Sequence, residues 1–350
     1  MTETAAQDTV ARKADHVRIN LEQDVAGKGP GSGFDEYRFV NRALPGIDLA
    51  EVDTSAELFG RKLSAPFLIS CMTGGTEEAR RINRTLALTA QEHRFAMGLG
   101  SARALLEEPG LLDTFAVRSE APDVLLLANL GAVQLNKGYG AHDCRKLLDL
   151  LQADALVLHL NAIQEAVQPA GDTCFRGLLK KIEAVCKQLN APVIVKEVGW
   201  GIAADTVRDL FDAGVAAVDL AGAGGTSWSE VEKHRIEEPW RARVAGAFAQ
   251  WGIPTAECLR AARAAEPTGV LIASGGVRNG IDAVKALALG ADAVGIAGPF
   301  LRAAAAGEGA ANDLARELRE VLRIAMFALG ERTIADLRET KRLVRAGRRL

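Results

Sequence analysis

Short apolar runs recur along the chain from residue 66, and segments with helical periodicity separate most of them. Eight runs have the length and composition of buried parallel strands: 67–72, 96–100, 124–129, 155–161, 193–198, 216–222, 270–276 and 293–298. The spacing of apolar residues predicts helices at 77–92, 143–151, 175–189, 204–213, 257–265 and 281–290. Eight consecutive βα units favour an α/β fold, the closed (β/α)8 TIM barrel. A doubly wound open sheet is the alternative, and it is disfavoured because no Gly-x-Gly-x-x-Gly motif opens a helix after the first strand.

Residues 1–65 precede this pattern and are predicted to be an N-terminal extension. Glycine at every second position of 27–33 predicts a mobile loop there. A cationic and titratable cluster lies further towards the N-terminus, at Arg12, Lys13 and His16. On spacing alone this cluster is typical of the solvated first turn of a helix, because such groups are common on surfaces.

Residues 66–350 are predicted to hold the barrel and the helices that follow it. Leucine and isoleucine repeat at helical spacing over 311–329, and a basic helical pattern continues over 331–349. We expect three arginines near the end of the chain to form a solvated helix end without chemistry: Arg345, Arg348 and Arg349.

The interval between the sixth and seventh strands is much longer than the others. It begins with glycines, continues through a polar segment to Arg235, and carries Trp240 and Trp251. A long βα loop at the mouth of a barrel is well placed to be an active-site lid. The alternative is a helical insertion that packs against another subunit.

Composition narrows the function further. The chain has 350 residues and a net charge of −3, so no basic excess points to nucleic acid or to an anionic membrane. Its five cysteines form no Cys-x-x-Cys pair, which favours reduced thiols in the cytoplasm. The N-terminus is polar and acidic, unlike a signal peptide, and no apolar run approaches the ~18 residues of a membrane span. We therefore expect a cytoplasmic protein, and we expect it to form a homo-oligomer.

The seventh and eighth strands both end in glycines, in the segments 270–280 and 293–298. Glycine lets backbone N–H groups approach a ligand closely. In (β/α)8 barrels the loops after these two strands, with a helix N-terminus, form the usual phosphate site. The sequence therefore predicts that a phosphorylated cofactor docks here.

Polar residues follow six earlier strands, at the end of the barrel where catalytic residues lie. They belong to the segments 72–75, 100–103, 128–129, 159–165, 196–197 and 224–227. One such residue has a structural explanation, but six in succession predict a pocket lined for recognition.

Chemistry suggests individual roles. A buried lysine needs an anion or an electron-rich ring, so Lys196 fits either the N1/O2 edge of a flavin or a Schiff base with a sugar aldehyde. Glu165 is suited to Mg²⁺ that bridges a carboxylate and a diphosphate. Arg103 suits bidentate recognition of phosphate oxygens. His159 is the one histidine at a strand end, and its polar neighbours favour a functional role over a structural one.

Taken together, ten motifs match one family in order from Arg12 to about Phe300. They are Arg12-Lys-x-x-His16, Gly31-Ser-Gly-Phe34, Ala43-Leu-Pro45, Met72-Thr-Gly-Gly75, Ser101-Ala-Arg103, Ala128-Asn-Leu-Gly131, His159-Leu-Asn-Ala-Ile-Gln-Glu-Ala-Val-Gln168, Val195-Lys-Glu-Val-Gly199, Gly222-Ala-Gly-Gly-Thr-Ser227 and Ser274-Gly-Gly-Val-Arg-Asn-Gly280. The chain resembles the type 2 isopentenyl-diphosphate Δ-isomerases. Many flavin barrels share Ser-Gly-Gly, whereas the segment from His159 is far more specific.

The resemblance implies an FMN-dependent barrel that interconverts isopentenyl and dimethylallyl diphosphate without net redox change. It implies that FMN is reduced, typically by NADPH, and that Mg²⁺ is required, held by Glu165. The implied FMN contacts are Cys71, Met72, Thr73, Ser101, Asn129, Lys196, Thr226, Gly275, Gly276, Arg278, Ala297 and Gly298. The implied isoprenoid diphosphate contacts are Arg12, Lys13, His16, Ser101, Arg103, His159, Asn161 and Gln164. Gln164 and His159 are the catalytic candidates: a reduced flavin N5 is the favoured acid, and Gln164 positions or relays a proton.

Two other functions remain open at the level of sequence. An FMN-dependent 2-hydroxy-acid oxidase or dehydrogenase shares the Ser-Gly-Gly and lysine strand ends. It normally has a histidine base after the lysine strand, whereas Glu197-Val-Gly-Trp-Gly201 follows Lys196 here. A regulatory barrel that binds flavin or phosphate without turnover is the non-enzymatic alternative, and the polar end of the fourth strand counts against it.

Overall fold

The computed structural model describes residues 3–29 and 31–347. The strands are β1 (Tyr37–Phe39), β2 (Ala56–Leu58), β3 (Arg61–Leu63), β4 (Phe67–Ile69), β5 (Ala96–Gly98), β6 (Leu126–Gly131), β7 (Ala155–His159), β8 (Val193–Lys196), β9 (Ala217–Asp219), β10 (Val270–Ala273), β11 (Ala293–Ile296) and β12 (Leu343–Arg345).

The α-helices are α1 (Glu3–Glu22), α2 (Glu77–His93), α3 (Arg103–Glu107), α4 (Ala141–Leu151), α5 (Ala162–Val167), α6 (Leu178–Gln188), α7 (Ala204–Asp212), α8 (Trp228–Arg235), α9 (Pro239–Ala247), α10 (Thr255–Ala265), α11 (Gly280–Ala288), α12 (Gly298–Ala306), α13 (Glu308–Leu329) and α14 (Ile334–Glu339). Short 3₁₀ helices occupy Phe34–Glu36, Leu49–Glu51, Pro109–Thr114, Ala132–Lys137 and Phe248–Gln250. None of the described helices is long and apolar enough to cross a membrane.

Strands β4 to β11 form a closed barrel of parallel strands in chain order. The barrel closes between β11 and β4, where Val294 is opposite Phe67 and Ile296 is opposite Ile69. Each of the eight predicted apolar runs overlaps one of these strands, with β6 extending two residues beyond its run, so the predicted TIM barrel is confirmed.

Alternation along the strands explains the packing, because successive side chains point to opposite faces. On β7, Ala155 and Val157 belong to the apolar cluster inside the barrel, whereas Leu156 and Leu158 belong to the cluster under the helices. The β2–β3 hairpin adds Leu58 and Leu63 to the inner cluster. Apolar side chains thus fill the interior of the barrel. The polar residues that follow the strands lie at one rim, formed by the carboxyl ends of the strands.

The N-terminal extension is tied to that rim. Ile19 and Val25 are buried against Val231 of α8. The segment predicted to be mobile follows α1 and is hydrogen-bonded to the barrel: the N–H of Gly27 donates to the Gly225 carbonyl at 3.0 Å, and that of Lys28 donates to the Ala249 carbonyl at 2.8 Å. The extension therefore contributes to the same end of the barrel as the loops after the strands.

The long interval after β9 forms helices α8 and α9. Helix α8 packs against both α1 and α5 of the same chain, and its Val231 and Glu232 are fully buried. Trp240 and Trp251 remain 57% and 62% exposed. The segment predicted as a lid thus includes a helix that forms part of the wall of this end of the barrel.

The C-terminal part departs from the sequence prediction. The predicted helix over 311–329 is present within α13, but the helical pattern after it ends with α14. Arg345 lies in β12, which pairs antiparallel with β1, and its guanidinium contacts Glu36. The prediction of a helix end was wrong for Arg345 because the ladder with β1, whose pairing is not visible in local periodicity, overrides it. Arg348 and Arg349 lie outside the described residues.

Candidate active site

A cavity of about 410 Å³ opens at the carboxyl ends of the barrel strands, a volume within the range of about 300–1,000 Å³ for small-molecule sites. All the site residues selected from the sequence line this cavity. They are Arg12, Lys13, His16, Cys71, Met72, Thr73, Ser101, Arg103, Asn129, His159, Asn161, Gln164, Glu165, Lys196, Thr226, Gly275, Gly276, Arg278, Ala297 and Gly298. The convergence expected from the strand ends is therefore present, although which ligand each residue contacts stays a prediction.

Helix α1 places its cationic residues inside the cavity rather than in solvent. Lys13 Nζ donates to the Ser101 carbonyl at 2.7 Å and lies 4.8 Å from the centre of the Phe115 ring. Burial lowers the pKa of Lys13 to about 7, and the neighbouring charges of Arg12 and Arg103 act in the same direction. The interpretation from spacing, a solvated first turn, was wrong, because these residues lie well within a 20-residue helix and line the cavity. The cluster offers positive charge that an incoming anion can neutralise.

His159 ends β7 and is oriented by a residue of the neighbouring strand. Its Nδ1 is 2.8 Å from Asn129 Oδ1, an acceptor, so Nδ1 donates. Burial lowers the pKa of His159 to about 3, with Lys196, Arg103 and Lys13 as further causes. The imidazole is therefore neutral at physiological pH and cannot act there as an imidazolium acid in the free protein.

Lys196 ends β8 and is the buried cation of the barrel interior, 9% exposed. Its Nζ donates to the Glu197 carbonyl at 2.6 Å. On the next strand, Asp219 is buried and accepts from Ser274 Oγ at 2.5 Å. Burial raises the pKa of Asp219, and the charge of Lys196 opposes this rise. Asp219 was not identified from the sequence, although a carboxylate inside an apolar run was the available signal.

The loops after β9, β10 and β11 form a glycine-lined cradle. Gly275 has φ +97°, and a Cβ there would lie 2.0 Å from the Gly222 carbonyl oxygen. A Cβ on Gly225 would lie 2.7 Å from the Gly276 nitrogen, so the two loops touch through their backbones. Helix α12 begins at Gly298, which lines the cavity, and the first N–H groups of a helix have no partner within it. Such an arrangement binds a phosphate without requiring many cations.

Two further features fit a flavin phosphate and ring in this part of the cavity. Arg278 Nη2 donates to the Gly224 carbonyl at 3.1 Å, which holds its guanidinium beside the cradle. Ser70, at the end of β4, is buried and its Oγ has no partner within the described protein. A buried hydroxyl without a partner indicates a missing hydrogen-bonding group.

Glu165 and Asn161 lie on the other side of the cavity. Glu165 Oε1 accepts from Asn161 Nδ2 at 2.9 Å, while the buried Asn161 Oδ1 has no partner within the described protein. No group of three or more His, Cys, Asp or Glu side chains able to hold a metal occurs among the described residues. A single carboxylate with a free amide oxygen beside it fits Mg²⁺, which is commonly held by one or two carboxylates, water and substrate phosphates.

The residue most clearly missed by sequence reasoning is Glu232 of α8. Its Oε1 accepts from Gln164 Nε2 and Gln168 Nε2, each at 2.9 Å, and lies 3.0 Å from His16 Nε2. Its Oε2 accepts from Arg235 Nη1 at 2.7 Å. Burial would raise the pKa of Glu232, but the hydrogen bonds from His16 and Gln164 and the charge of Arg235 hold it near 2. This ionised carboxylate joins α1, α5 and α8.

A detectable signal for Glu232 existed in the sequence. Trp228 and Glu232 are four residues apart and therefore lie on one face of a helix. His16 packs edge-on against Trp228 with ring centres 5.0 Å apart. The tryptophan thus marked the buried face of an otherwise charged helix.

Comparison with known proteins identifies the family. A family model described as FMN-dependent dehydrogenase matches residues 5–108 and 142–345. The isopentenyl-diphosphate delta-isomerase of a Nostoc species is 50% identical over 98% of this chain and 98% of its own length. That of a Synechococcus species is 52% identical, covering 93% of this chain and 94% of its own. The Oceanobacillus iheyensis protein of the same name is 45% identical, covering 97% of both.

Solved structures agree on the fold. A mandelate oxidase bearing an FMN monooxide adduct has a TM-score of 0.66 at 19% identity, covering 96% of this chain and 98% of its own. A mandelate oxidase structure with 3,3-difluoro-2-hydroxy-3-phenylpropionic acid has a TM-score of 0.64 at 20% identity, with coverages of 95% and 97%. With the family model and the near full-length relatives, these findings show that the chain belongs to the isopentenyl-diphosphate delta-isomerases, an enzyme family on the barrel of the FMN-dependent dehydrogenases.

Proposed function

We propose that this enzyme interconverts isopentenyl and dimethylallyl diphosphate, using FMN in its reduced form and Mg²⁺, with NADPH as reductant. One observation carries the proposal: two groups of residues on different elements of the cavity wall are each suited to an anion. The glycine cradle with Arg278 is suited to a flavin phosphate, and the cluster of Arg12, Lys13 and Arg103 is suited to a diphosphate. A site for one phosphorylated ligand has no need for both.

The cradle side fits FMN through the backbones of Gly275 and Gly276, the side chain of Arg278 and the first turn of α12. Lys196 would face the N1/O2 edge of the ring, where a fixed cation stabilises negative charge. When bound and reduced, FMN supplies an acidic N5 proton next to the substrate alkene. The apolar parts of the cavity wall would shelter positive charge that develops on the substrate.

On the other side the chain would hold the diphosphate and its metal ion. Arg12, Lys13 and Arg103 supply positive charge, and Glu165 is the carboxylate for Mg²⁺. The unpartnered Oδ1 of Asn161 is available to a metal-bound water or to the substrate. These groups would fix the diphosphate end and so orient the isoprenyl chain relative to the bound cofactor.

Isomerisation delivers a proton to C4 of the substrate and removes one from C2. His159 is neutral, and Glu232 stays ionised with a pKa of about 2, so neither side chain is an acid at neutral pH. Gln164 is held by its hydrogen bond to Glu232 and is a poor acid in itself. We therefore assign Gln164 and His159 to orienting the substrate and the path of the proton.

A 2-hydroxy-acid oxidase is disfavoured by the residues after Lys196. The segment that follows Lys196 contains no histidine base. Glu197 Oε2 accepts from the N–H groups of Val198, Gly199 and Trp200 at 2.7–2.8 Å, and Glu197 is not among the described residues that line the cavity, so its contacts hold its own loop.

The test uses purified protein reconstituted with FMN and reduced anaerobically in the presence of Mg²⁺. We expect it to convert isopentenyl diphosphate, and we expect flavin-free or magnesium-free protein to be inactive. Gln164→Ala and Glu165→Ala should each depress turnover while the flavin absorbance remains. Turnover that persists unchanged without flavin would contradict the role of FMN, and loss of flavin from either variant would show that these residues are misassigned.

A further inference from the structure

Asp172 lies in the loop between α5 and α6, behind the wall of the cavity. Its Oδ2 accepts from Gln134 Nε2 at 3.0 Å and from Arg103 Nη1 at 3.4 Å. Its Oδ1 pairs with Lys137 Nζ at 2.7 Å. Gln134 and Arg103 line the cavity, whereas Asp172 is not among the described residues that do. This carboxylate therefore supports the substrate side of the cavity from outside it.

The backbone of the same residue holds the proposed metal ligand. The N–H of Asp172 donates to Glu165 Oε2 at 2.6 Å, and Asn161 Nδ2 donates to the other oxygen at 2.9 Å. Each carboxylate oxygen has two lone pairs, so each retains one for a cation. The preceding Gly171 allows this close approach, because a Cβ there would lie 1.9 Å from the Glu165 carbonyl oxygen.

The charge of Asp172 suits this role. Its carboxylate lies among two cations and an amide donor: Lys137, Arg103 and Gln134. It therefore occupies Nη1 of Arg103. Nε of Arg103 lies 3.7 Å from Glu107 Oε1, so the Nη2 donors of the guanidinium are the ones left for phosphate oxygens.

We propose that Asp172 is a positioning residue that sets Arg103 and Glu165 in the relative orientation that receives a Mg²⁺-bound diphosphate. Its side chain orients the arginine that binds the anion, and its backbone orients the carboxylate that binds the cation. This inference rests on the proposed function, since it takes the metal-bound diphosphate as the ligand. It adds a residue that contacts neither ligand and acts through two residues that do.

The experiment compares FMN-loaded wild-type protein with Asp172→Ala and Asp172→Asn. Calorimetry measures the binding of inorganic pyrophosphate with Mg²⁺ and with a chelator in its place. With Mg²⁺ we expect Asp172→Ala to bind about tenfold more weakly, because the substitution removes the side-chain contact that orients Arg103 and keeps the backbone N–H that holds Glu165. With the chelator the difference should persist, since Arg103 would bind the anion rather than the metal. Asp172→Asn keeps the shape without the charge and should lie between wild type and Asp172→Ala.

Kinetics separate positioning from a merely structural role. A structural defect lowers the amount of active enzyme and hence the apparent kcat, whereas misplaced ligand groups raise the KM for isopentenyl diphosphate and the Mg²⁺ concentration for half activation. Asp154→Asn is the matched control, because Asp154 is 22% exposed against 20% for Asp172 and also pairs with two cations, Arg61 and Arg118. We expect it to leave KM and pyrophosphate binding unchanged.

Unchanged or tighter pyrophosphate binding by both Asp172 variants would overturn the inference, because Asp172 would then be only a counter-charge to Arg103. Its failure is distinguishable from failure of the proposed function. Wild-type protein that isomerises while the variants bind normally defeats the inference alone. If wild-type protein binds Mg²⁺-pyrophosphate but does not isomerise isopentenyl diphosphate, the proposed function is wrong. The comparison of pyrophosphate binding between wild type and the Asp172 variants then still tests whether Asp172 positions the binding groups.

Discussion

Gln164 of α5 and Glu232 of α8 meet across the cavity wall, with Gln164 Nε2 donating to Glu232 Oε1 at 2.9 Å. Both side chains are buried, at 7% and 0% exposure. Because Glu232 also accepts from His16 of the N-terminal helix, one carboxylate fixes the orientation of the Gln164 amide and the position of α1. A change at this residue is expected to affect the chemistry more than the retention of flavin.

We predict that Glu232→Gln lowers kcat by about a hundredfold while FMN stays bound. The substituted amide keeps the shape of the side chain but loses the negative charge that accepts hydrogen bonds from His16, Gln164 and Arg235. A small displacement of a group that orients the substrate lowers the rate by about a hundredfold. Steady-state kinetics with isopentenyl diphosphate and the flavin absorbance measure the two effects.

Glu230→Gln is the matched control for this substitution. Glu230 is a buried carboxylate on the same helix and pairs at 3.1 Å with Lys233, a residue that does not line the cavity, whereas Glu232 bonds to residues that do. It should lose some stability and keep its kcat. Equal loss of activity in both variants would mean that α8 acts only as a structural support.

Lys13 should make diphosphate binding depend on pH. Its pKa is lowered to about 7 in the free protein, so above pH 7 an anion must bind together with a proton on Lys13. We expect the affinity for inorganic pyrophosphate to fall by about tenfold per pH unit between pH 7 and 9 relative to Lys13→Arg, whose guanidinium stays charged. Calorimetry in buffers of different ionisation enthalpy should show proton uptake in wild type only.

The same shift has a consequence for folding. The unfolded chain has a lysine pKa near 10.4, so between about pH 7 and 10 it binds more protons at Lys13 than the folded chain does. The contribution of Lys13 to the free energy of unfolding must therefore rise with pH across this window. Lys13→Met should remove that part of the pH dependence. If the affinity of wild-type protein for inorganic pyrophosphate, relative to that of Lys13→Arg, does not change from pH 7 to 9, the lowered pKa of Lys13 is contradicted.

The barrel, and the part of the cavity formed by its strand ends, could be predicted from the sequence because both depend on local patterns. Each strand is a short apolar run. A polar residue at the end of such a run, as at His159 and Lys196, is expected at the carboxyl end of the barrel. The placement of Arg12 and Lys13 was not accessible in this way. Helix α1 is mostly polar, and it is buried only because the barrel offers it a surface. Its role came from the family resemblance rather than from periodicity.

Contacts between distant segments account for the misses. Glu232 lies in the charged stretch Ser-Glu-Val-Glu-Lys-His-Arg, which is typical of a solvated helix until α1 and α5 cover it. Strand β12 exists because β1 offers it a partner about 300 positions earlier in the chain. Asp172 belongs to a loop whose importance appears only when the partners of Arg103 and Glu165 are known together.

Arg278 tests the cradle as the site of the flavin phosphate. We predict that Arg278→Met raises the Kd for FMN by about tenfold, corresponding to the loss of one charge-assisted hydrogen bond. Arg80→Met, at an exposed arginine of α2 outside the cavity lining, should leave the Kd unchanged. Fluorescence titration of flavin-free protein with FMN measures both values. Equal affinity in the two variants would place the flavin phosphate elsewhere.

A repeated arrangement closes the opposite, N-terminal end of the barrel. Arg118 Nη2 donates to Asp154 Oδ2 at 2.8 Å, and that oxygen also accepts the first N–H of β6 at 2.9 Å. Four strands later, Arg263 Nη2 donates to Asp292 Oδ2 at 2.6 Å, and that oxygen accepts the N–H of Leu271 in β10 at 2.8 Å. Both arginines also donate to several carbonyls of the loops before these strands. The two clamps bind equivalent loops in the two halves of the barrel.

We predict that Arg118→Met and Arg263→Met each lower the free energy of unfolding by about 3 kcal/mol, since each takes one cation from a partly buried carboxylate and leaves loop carbonyls without a side-chain donor. At temperatures below the lowered Tm we expect both variants to keep the kcat and KM of wild type, because residues at this face of a (β/α)8 barrel support stability rather than catalysis. Arg316→Met is the control: its side chain is 58% exposed, and its loss should change stability by less than about 0.5 kcal/mol. Urea titration and steady-state kinetics on the same samples decide the question. A clamp variant of normal stability but altered KM would mean that this end of the barrel communicates with the cavity.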